Sequence, residues 1–255
     1  MKLTLGFSPC PNDTFIFDAL VNGRIDTEGL EFDYKLADVE ELNHRAFRGE
    51  ADITKISCHA FPFAANNYLI LDSGSALGYG NGPLLVAKPG FDTLKMNSSV
   101  IAIPGKYTTA NLLFSIAWPG AVNKKEYLFS DIVDVILSGK ADAGLIIHET
   151  RFTYHLKGLT MIADMGEFWE KLTGLPIPLG AIVISRRIPE NVSLKFNSLL
   201  RKSIEYAMEN SSASSGFVAS NAREMEKTVI DRHIKMFVNE RSEERRVGKE
   251  CRSRW

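Results

Sequence analysis

His148 closes an apolar run, Ala143-Gly144-Leu145-Ile146-Ile147, and is followed by Glu149 and Thr150. An imidazole at the end of a buried strand faces a cleft rather than the core and exchanges a proton near neutral pH, which suits a general base. The same position suits a histidine that only closes a strand with a hydrogen bond. His44, His59, His155 and His233 lack this setting and read as surface or packing histidines. No two histidines stand at His-x-x-x-His spacing, so a catalytic metal is not expected.

A second candidate is the junction Ser8-Pro9-Cys10-Pro11-Asn12-Asp13-Thr14. Pro9 and Pro11 fix φ and push the residues before them into extended geometry. Asn12, Asp13 and Thr14 then offer cap-type oxygens where a helix leaves its first amides unpaired. Such a turn holds a polar ligand or simply caps a helix. Gly105-Lys106-Tyr107-Thr108-Thr109-Ala110-Asn111 likewise follows a strand and opens a helix, so its amides and hydroxyls suit carboxylate or hydroxyl oxygens, although it lacks the P-loop spacing. Ser57 ends Lys55-Ile56-Ser57, where a hydroxyl either meets a ligand or bonds its own backbone. Asn43 falls mid-helix, which its propensity disfavours, and reads either as an inward polar group or as a surface one. The run Gly78-Tyr79-Gly80-Asn81-Gly82 reads as a flexible loop, because no helix follows it.

Alternating short apolar strands and amphipathic helices must position these groups, the pattern of an α/β fold with parallel sheets. Strands are predicted at 3–7, 30–35, 53–56, 83–87, 100–103, 143–147 and 180–185. Helices are predicted at 13–22, 39–48, 108–117, 130–138, 149–156, 194–210 and 222–238. Residues 46–57 and 136–148 echo each other: Gly49 and Gly139 each follow a helix and precede an Ala-Asp that opens a strand. The echo predicts two similar lobes, one of residues 1–90 plus about 189–240 and a smaller one of about 91–188. Ligands gather beyond the carboxyl ends of parallel strands, so the ends at Ser8–Thr14, Lys55–Ser57, Gly105–Ala110 and His148 are expected to share one cleft. The crossings are expected near Pro89-Gly90 and Arg186–Pro189.

The totals narrow the function classes. A chain of 255 residues with net charge -1 and 24% charged residues gives no electrostatic case for nucleic acid or an anionic membrane. No apolar run reaches the roughly 18 residues of a membrane helix, and no signal-peptide pattern opens the sequence, so a cytoplasmic protein is expected. Cys10, Cys58 and Cys251 are too few for a disulfide framework. From Arg241 the chain turns polar, with six Lys or Arg and three Glu up to Trp255, and reads as a non-native tail.

The string Ser8-Pro9-Cys10-Pro11-Asn12-Asp13-Thr14-Phe15 resembles the N-terminal signature of the 1,4-dihydroxy-6-naphthoate synthase family, which serves the futalosine route of menaquinone biosynthesis. Lys55-Ile56-Ser57, Gly105-Lys106-Tyr107-Thr108-Thr109-Ala110 and Leu145-Ile146-Ile147-His148-Glu149 follow in that family's order. The resemblance covers about residues 1–240 and implies a type II periplasmic-binding-protein-like fold. It implies a small-molecule substrate, cyclic dehypoxanthine futalosine, cleaved without metal or organic cofactor, and no particular oligomeric state. By the same resemblance His148 is the base and Lys55, Ile56, Ser57, Thr109 and Ala110 contact substrate, with Asp13, Thr14 and Asn43 nearby. Two other functions compete: a non-enzymatic solute-binding protein of the same fold, and the related chorismate dehydratase.

Overall fold

A computed structural model describes residues 1–222 and 226–238, so the tail from Arg241, with Cys251, lies outside the described residues. The chain opens with β1 (Lys2–Phe7), α1 (Pro11–Val21), β2 (Glu31–Leu36), α2 (Val39–Phe47), β3 (Ile53–Ser57), α3 (Phe61–Ala64), β4 (Tyr68–Ile70) and β5 (Ala76–Gly78). It continues through β6 (Leu84–Ala87), β7 (Ile101–Ile103), α4 (Thr109–Ala117), β8 (Lys124–Glu126), α5 (Ile132–Leu137), β9 (Ala143–Ile146), β10 (Thr160–Asp164) and α6 (Met165–Thr173). The last elements are β11 (Ile177–Ser185), α7 (Glu190–Glu209), α8 (Ser211–Asn221) and α9 (Lys227–Phe237). Two compact units result: Met1–Ile56 and Phe61–Leu77 join the described residues from Gly180, while Ser57–Ala60 joins Gly78–Leu179.

In the first unit the sheet runs β2-β1-β3-β11-β4, with β5 on β11. Strand β1 pairs in parallel with β2 and β3, and β11 pairs antiparallel with β4. Helix α1 is buried along nearly its whole length, from Pro11 to Leu20, as expected of a helix whose apolar residues do not keep to one stripe. Phe17 stacks on Phe7 of β1 with ring centroids 4.4 Å apart, and Ser203 of α7 donates to the Ile16 carbonyl at 2.6 Å. Asp18, also buried on α1, accepts from Arg24 at 2.6 Å and from Asn22 at 2.7 Å.

The second unit builds its sheet in the order β10-β6-β9-β7-β8. Strands β7, β8 and β9 pair in parallel, and β6 joins β9 and β10 antiparallel. Alternate residues of β6 feed opposite faces: Leu85 and Ala87 pack with Ile103 and Phe114, Leu84 and Val86 with Ile132 and Ile136. Such a sheet buries both faces of its inner strands, which is why β6, β7 and β9 read as unbroken apolar runs.

The echo between the two units is a shared helix stop. Gly49 and Gly139 both hold positive φ, 68° and 76°. The Gly49 and Glu50 amides donate to Ala46 and Arg45, and those of Gly139 and Lys140 to Ile136 and Val135, so the paired bonds of a Schellman cap recur at both positions.

One predicted element changes type. Residues 149–156 form no α-helix but two 3-10 turns, His148–Phe152 and Tyr154–Lys157. Short runs of this kind suit chain held by side-chain anchors instead of by a packed helical face.

Candidate active site

In the first unit the Pro9-Cys10-Pro11 junction does more than cap a helix. Cys10 occupies the N-cap without capping the helix through its side chain, and Pro11 takes the first helical position, where its missing N–H leaves nothing unpaired. Asp13 reaches back, its Oδ2 accepting from the Ser8 amide at 3.2 Å and the Ser8 hydroxyl at 2.8 Å. Its Oδ1 accepts from Asn12 Nδ2 at 2.8 Å and stands 3.2 Å from Lys55 Nζ. Lys55 also donates to the Gly74 carbonyl at 2.9 Å, so two of its three protons are engaged among the described residues. Asp13 and Lys55 are both buried, 3% and 6% exposed.

Thr14 turns inward to its own helix, donating to the Cys10 carbonyl at 3.0 Å. Asn43 is fully buried and donates to Glu40 at 2.9 Å, which places it among inward polar groups. Ile56 lies buried in β3.

The network holds one residue that the pattern of types did not single out. Asn12 Oδ1 lies 2.8 Å from Nε2 of His233, a fully buried histidine of α9. Because Asn12 Nδ2 faces a carboxylate, which only accepts, its Oδ1 must accept, and Nε2 of His233 must carry the proton. His233 therefore orients the signature turn from 221 residues away. Only the i, i+3, i+4 spacing of Val229, Ile230, His233 and Phe237, which puts His233 on the inner face of α9, signals this in the sequence.

In the second unit Ser57, Thr109 and Ala110 are buried. Thr108 caps α4 by accepting from Asn111. Thr109 donates to the Leu179 carbonyl at 2.8 Å and accepts from the His59 amide at 3.4 Å. The Cys58 amide donates to the same Leu179 carbonyl, so the segment Ser57–Ala60 and the start of α4 meet at Leu179.

His148 follows β9 and takes φ of 57°, one of two non-glycine residues at positive φ among the described residues. That conformation costs a β-carbon-bearing residue about 1–2 kcal/mol. Its ring stands edge-on to Phe129, 4.9 Å between centroids, and the next residue, Glu149, is buried. Three residues on, Arg151 holds the turn: it donates to the Gly82 carbonyl and, at 3.0 Å, to Asp164 Oδ2. Asp164 in turn caps α6, accepting from the Gly166 amide at 2.7 Å. Such strain persists only where the surrounding structure holds it in place. Among the described residues no group of three or more His, Cys, Asp or Glu is arranged to hold a metal ion, and no helix is long and apolar enough to cross a membrane.

The family model described as menaquinone biosynthesis matches residues 3–250. This chain belongs to the menaquinone biosynthesis family. It is 41% identical over 244 residues to a Streptomyces coelicolor protein named 1,4-dihydroxy-6-naphthoate synthase, covering 93% of this chain and 85% of that one. A Thermus thermophilus protein of the same name is 41% identical over 237 residues, covering 93% and 86%. A solved structure from Archaeoglobus fulgidus superposes with TM-score 0.91 at 33% identity, covering 98% of this family member and 93% of that chain. The alkanesulfonate-binding protein of Xanthomonas axonopodis, at TM-score 0.67 and 16% identity over 92% and 84%, shares the fold alone. So does a Candida albicans protein whose structure is described as the generic periplasmic binding protein fold, at TM-score 0.68 and 14% identity over 92% and 81%. The menaquinone-family chain thus has the periplasmic-binding-protein fold expected from its sequence.

Proposed function

We propose that this protein is a carbon-carbon lyase that converts cyclic dehypoxanthine futalosine to 1,4-dihydroxy-6-naphthoate with release of a sugar-derived fragment. The names of the relatives from Streptomyces coelicolor and Thermus thermophilus support the reaction. One observation carries the assignment of its base: His148 stands at positive φ, separated from β9 by one residue, on a turn anchored by Arg151.

His148 takes the proton from a carbon beside a carbonyl, and the electron pair moves onto the carbonyl oxygen. Donors in the site stabilise that oxyanion. Collapse of the oxyanion breaks the bond to the sugar-derived fragment, which departs with that bond's electron pair and takes up the proton held by His148, and leaves the aromatic ring system. Lys55, Ile56, Ser57, Thr109 and Ala110 contact the substrate, while Asp13, Thr14 and Asn43 shape the surroundings. Lys55 keeps one proton for a substrate oxygen beyond those given to Asp13 and Gly74.

The test offers purified protein both cyclic dehypoxanthine futalosine and chorismate and reads product masses. The naphthoate from the first substrate and no change in the second is the expected outcome. Conversion of chorismate would identify a dehydratase instead, and a stable ligand complex without product would identify a solute-binding protein.

A further inference from the structure

The glycine-rich run at residues 78–82 carries a buried amide. Asn81 is 2% exposed, and neither its Oδ1 nor its Nδ2 meets a hydrogen-bonding partner among the described residues. Burying a polar side chain unpaired is costly, and native structures keep such groups for a reason.

The backbone around Asn81 is fixed, contrary to the flexible loop expected from its glycines. The Gly80 amide donates to Glu170 Oε1 at 2.7 Å. Arg151 holds the Gly82 carbonyl, and the Pro83 carbonyl accepts from the Met165 amide at 2.9 Å. Glycines are required where the chain packs most closely: a Cβ on Gly78 would fall 2.6 Å from Asn81 Nδ2, and one on Gly82 would fall 2.1 Å from the Gly166 nitrogen. Asn81 is therefore oriented by its backbone and by the bare face of Gly78. Arg151, which ties this loop down, belongs to the 3-10 turn that begins at His148.

We infer that Asn81 is a substrate-contacting residue of the reaction assigned above, on which this inference rests. Its Nδ2 donates to an acceptor oxygen of the bound molecule and its Oδ1 accepts from a hydroxyl beside it. The ligand class is a small molecule carrying a carbonyl or carboxylate oxygen next to a hydroxyl. Held by its backbone and unpaired, the amide contributes binding and orientation once the substrate has opened a way to it.

The experiment compares Asn81→Leu with wild type in three readouts: thermal midpoint of the ligand-free protein, kcat/KM on cyclic dehypoxanthine futalosine, and calorimetric binding of 1,4-dihydroxy-6-naphthoate. A leucine removes an unpaired amide at similar volume, so the midpoint is expected to hold or rise. In the same variant kcat/KM is expected to fall roughly 10²-fold, with weaker naphthoate binding. A clearly lowered midpoint would show that the amide serves the protein itself and would overturn the inference, as would unchanged kcat/KM. Should wild type turn over no futalosine, the assigned reaction fails, and the naphthoate and midpoint comparisons still decide the role of Asn81. Asn81→Ala, which cannot clash, carries the same expectation for kcat/KM and binding if leucine does not fit.

Discussion

Lys55 Nζ and Asp13 Oδ1 lie 3.2 Å apart in a site that excludes nearly all solvent, joining the middle of β3 to the first turn of α1. Two buried charges of this kind hold each other: together they balance, and either one alone is a charge without solvent. Removing Asp13 should be worse for the fold than its small size suggests. Asp13→Ala is expected to lower stability by about 3–5 kcal/mol, read from denaturant midpoints. A double change, Asp13→Ala with Lys55→Met, is expected to recover part of that loss, and strict additivity would deny the coupling.

The hydrogen bond between His233 and Asn12 makes a second prediction. His233→Leu leaves Asn12 Oδ1 buried without its donor and is expected to cost about 1–3 kcal/mol. His233→Gln places a donor at nearly the position of Nε2 and is expected to regain most of it. Equal losses in the two variants, measured by equilibrium unfolding, would mean that His233 matters only as packing volume.

Much of this was legible in the sequence, and the exceptions have physical causes. Strands β6, β7 and β9 announced themselves because burial on both faces demands continuous apolar residues, and β1 by its alternation of apolar and polar ones. Strands β8 and β10 did not: β8 reads Lys-Lys-Glu, and both lie at sheet edges, where charge and exposure are tolerated. Helix α8, Ser211–Asn221, is rich in serine and falls between the helices predicted at 194–210 and 222–238, yet its Val218 joins the core of the first unit. The Asp13–Lys55 pairing and the role of His233 depend on contacts across 42 and 221 positions, which no local pattern encodes. Conversely, His148 at a strand end was visible because its meaning is local.

The anchoring of the His148 turn can be tested without touching the imidazole. Arg151 makes two directed bonds, to the Gly82 carbonyl and to Asp164, that a single ammonium cannot reproduce. Arg151→Lys is expected to lower kcat by about 10- to 100-fold through misplacement of the turn, with KM little changed. Steady-state kinetics checks this, and an unaltered kcat would remove Arg151 from any positioning role.

Thr109 is expected to serve both fold and substrate, because its hydroxyl already donates to Leu179. Thr109→Val should take away one of the two donors to that carbonyl, the Cys58 amide remaining, and cost about 0.5–1.5 kcal/mol while raising KM, whereas Thr109→Ser keeps the hydroxyl and should stay near wild type in both. A serine variant with the valine's defects would trace them to the lost methyl group instead.

The most direct measurement is the rate of 1,4-dihydroxy-6-naphthoate formation from cyclic dehypoxanthine futalosine by wild type and by His148→Asn. Asparagine tolerates the positive φ of position 148, so the variant keeps the turn and loses only the imidazole. The account predicts a folded variant with turnover reduced on the order of 10²–10⁴-fold. Naphthoate formation at the wild-type rate by His148→Asn would contradict it.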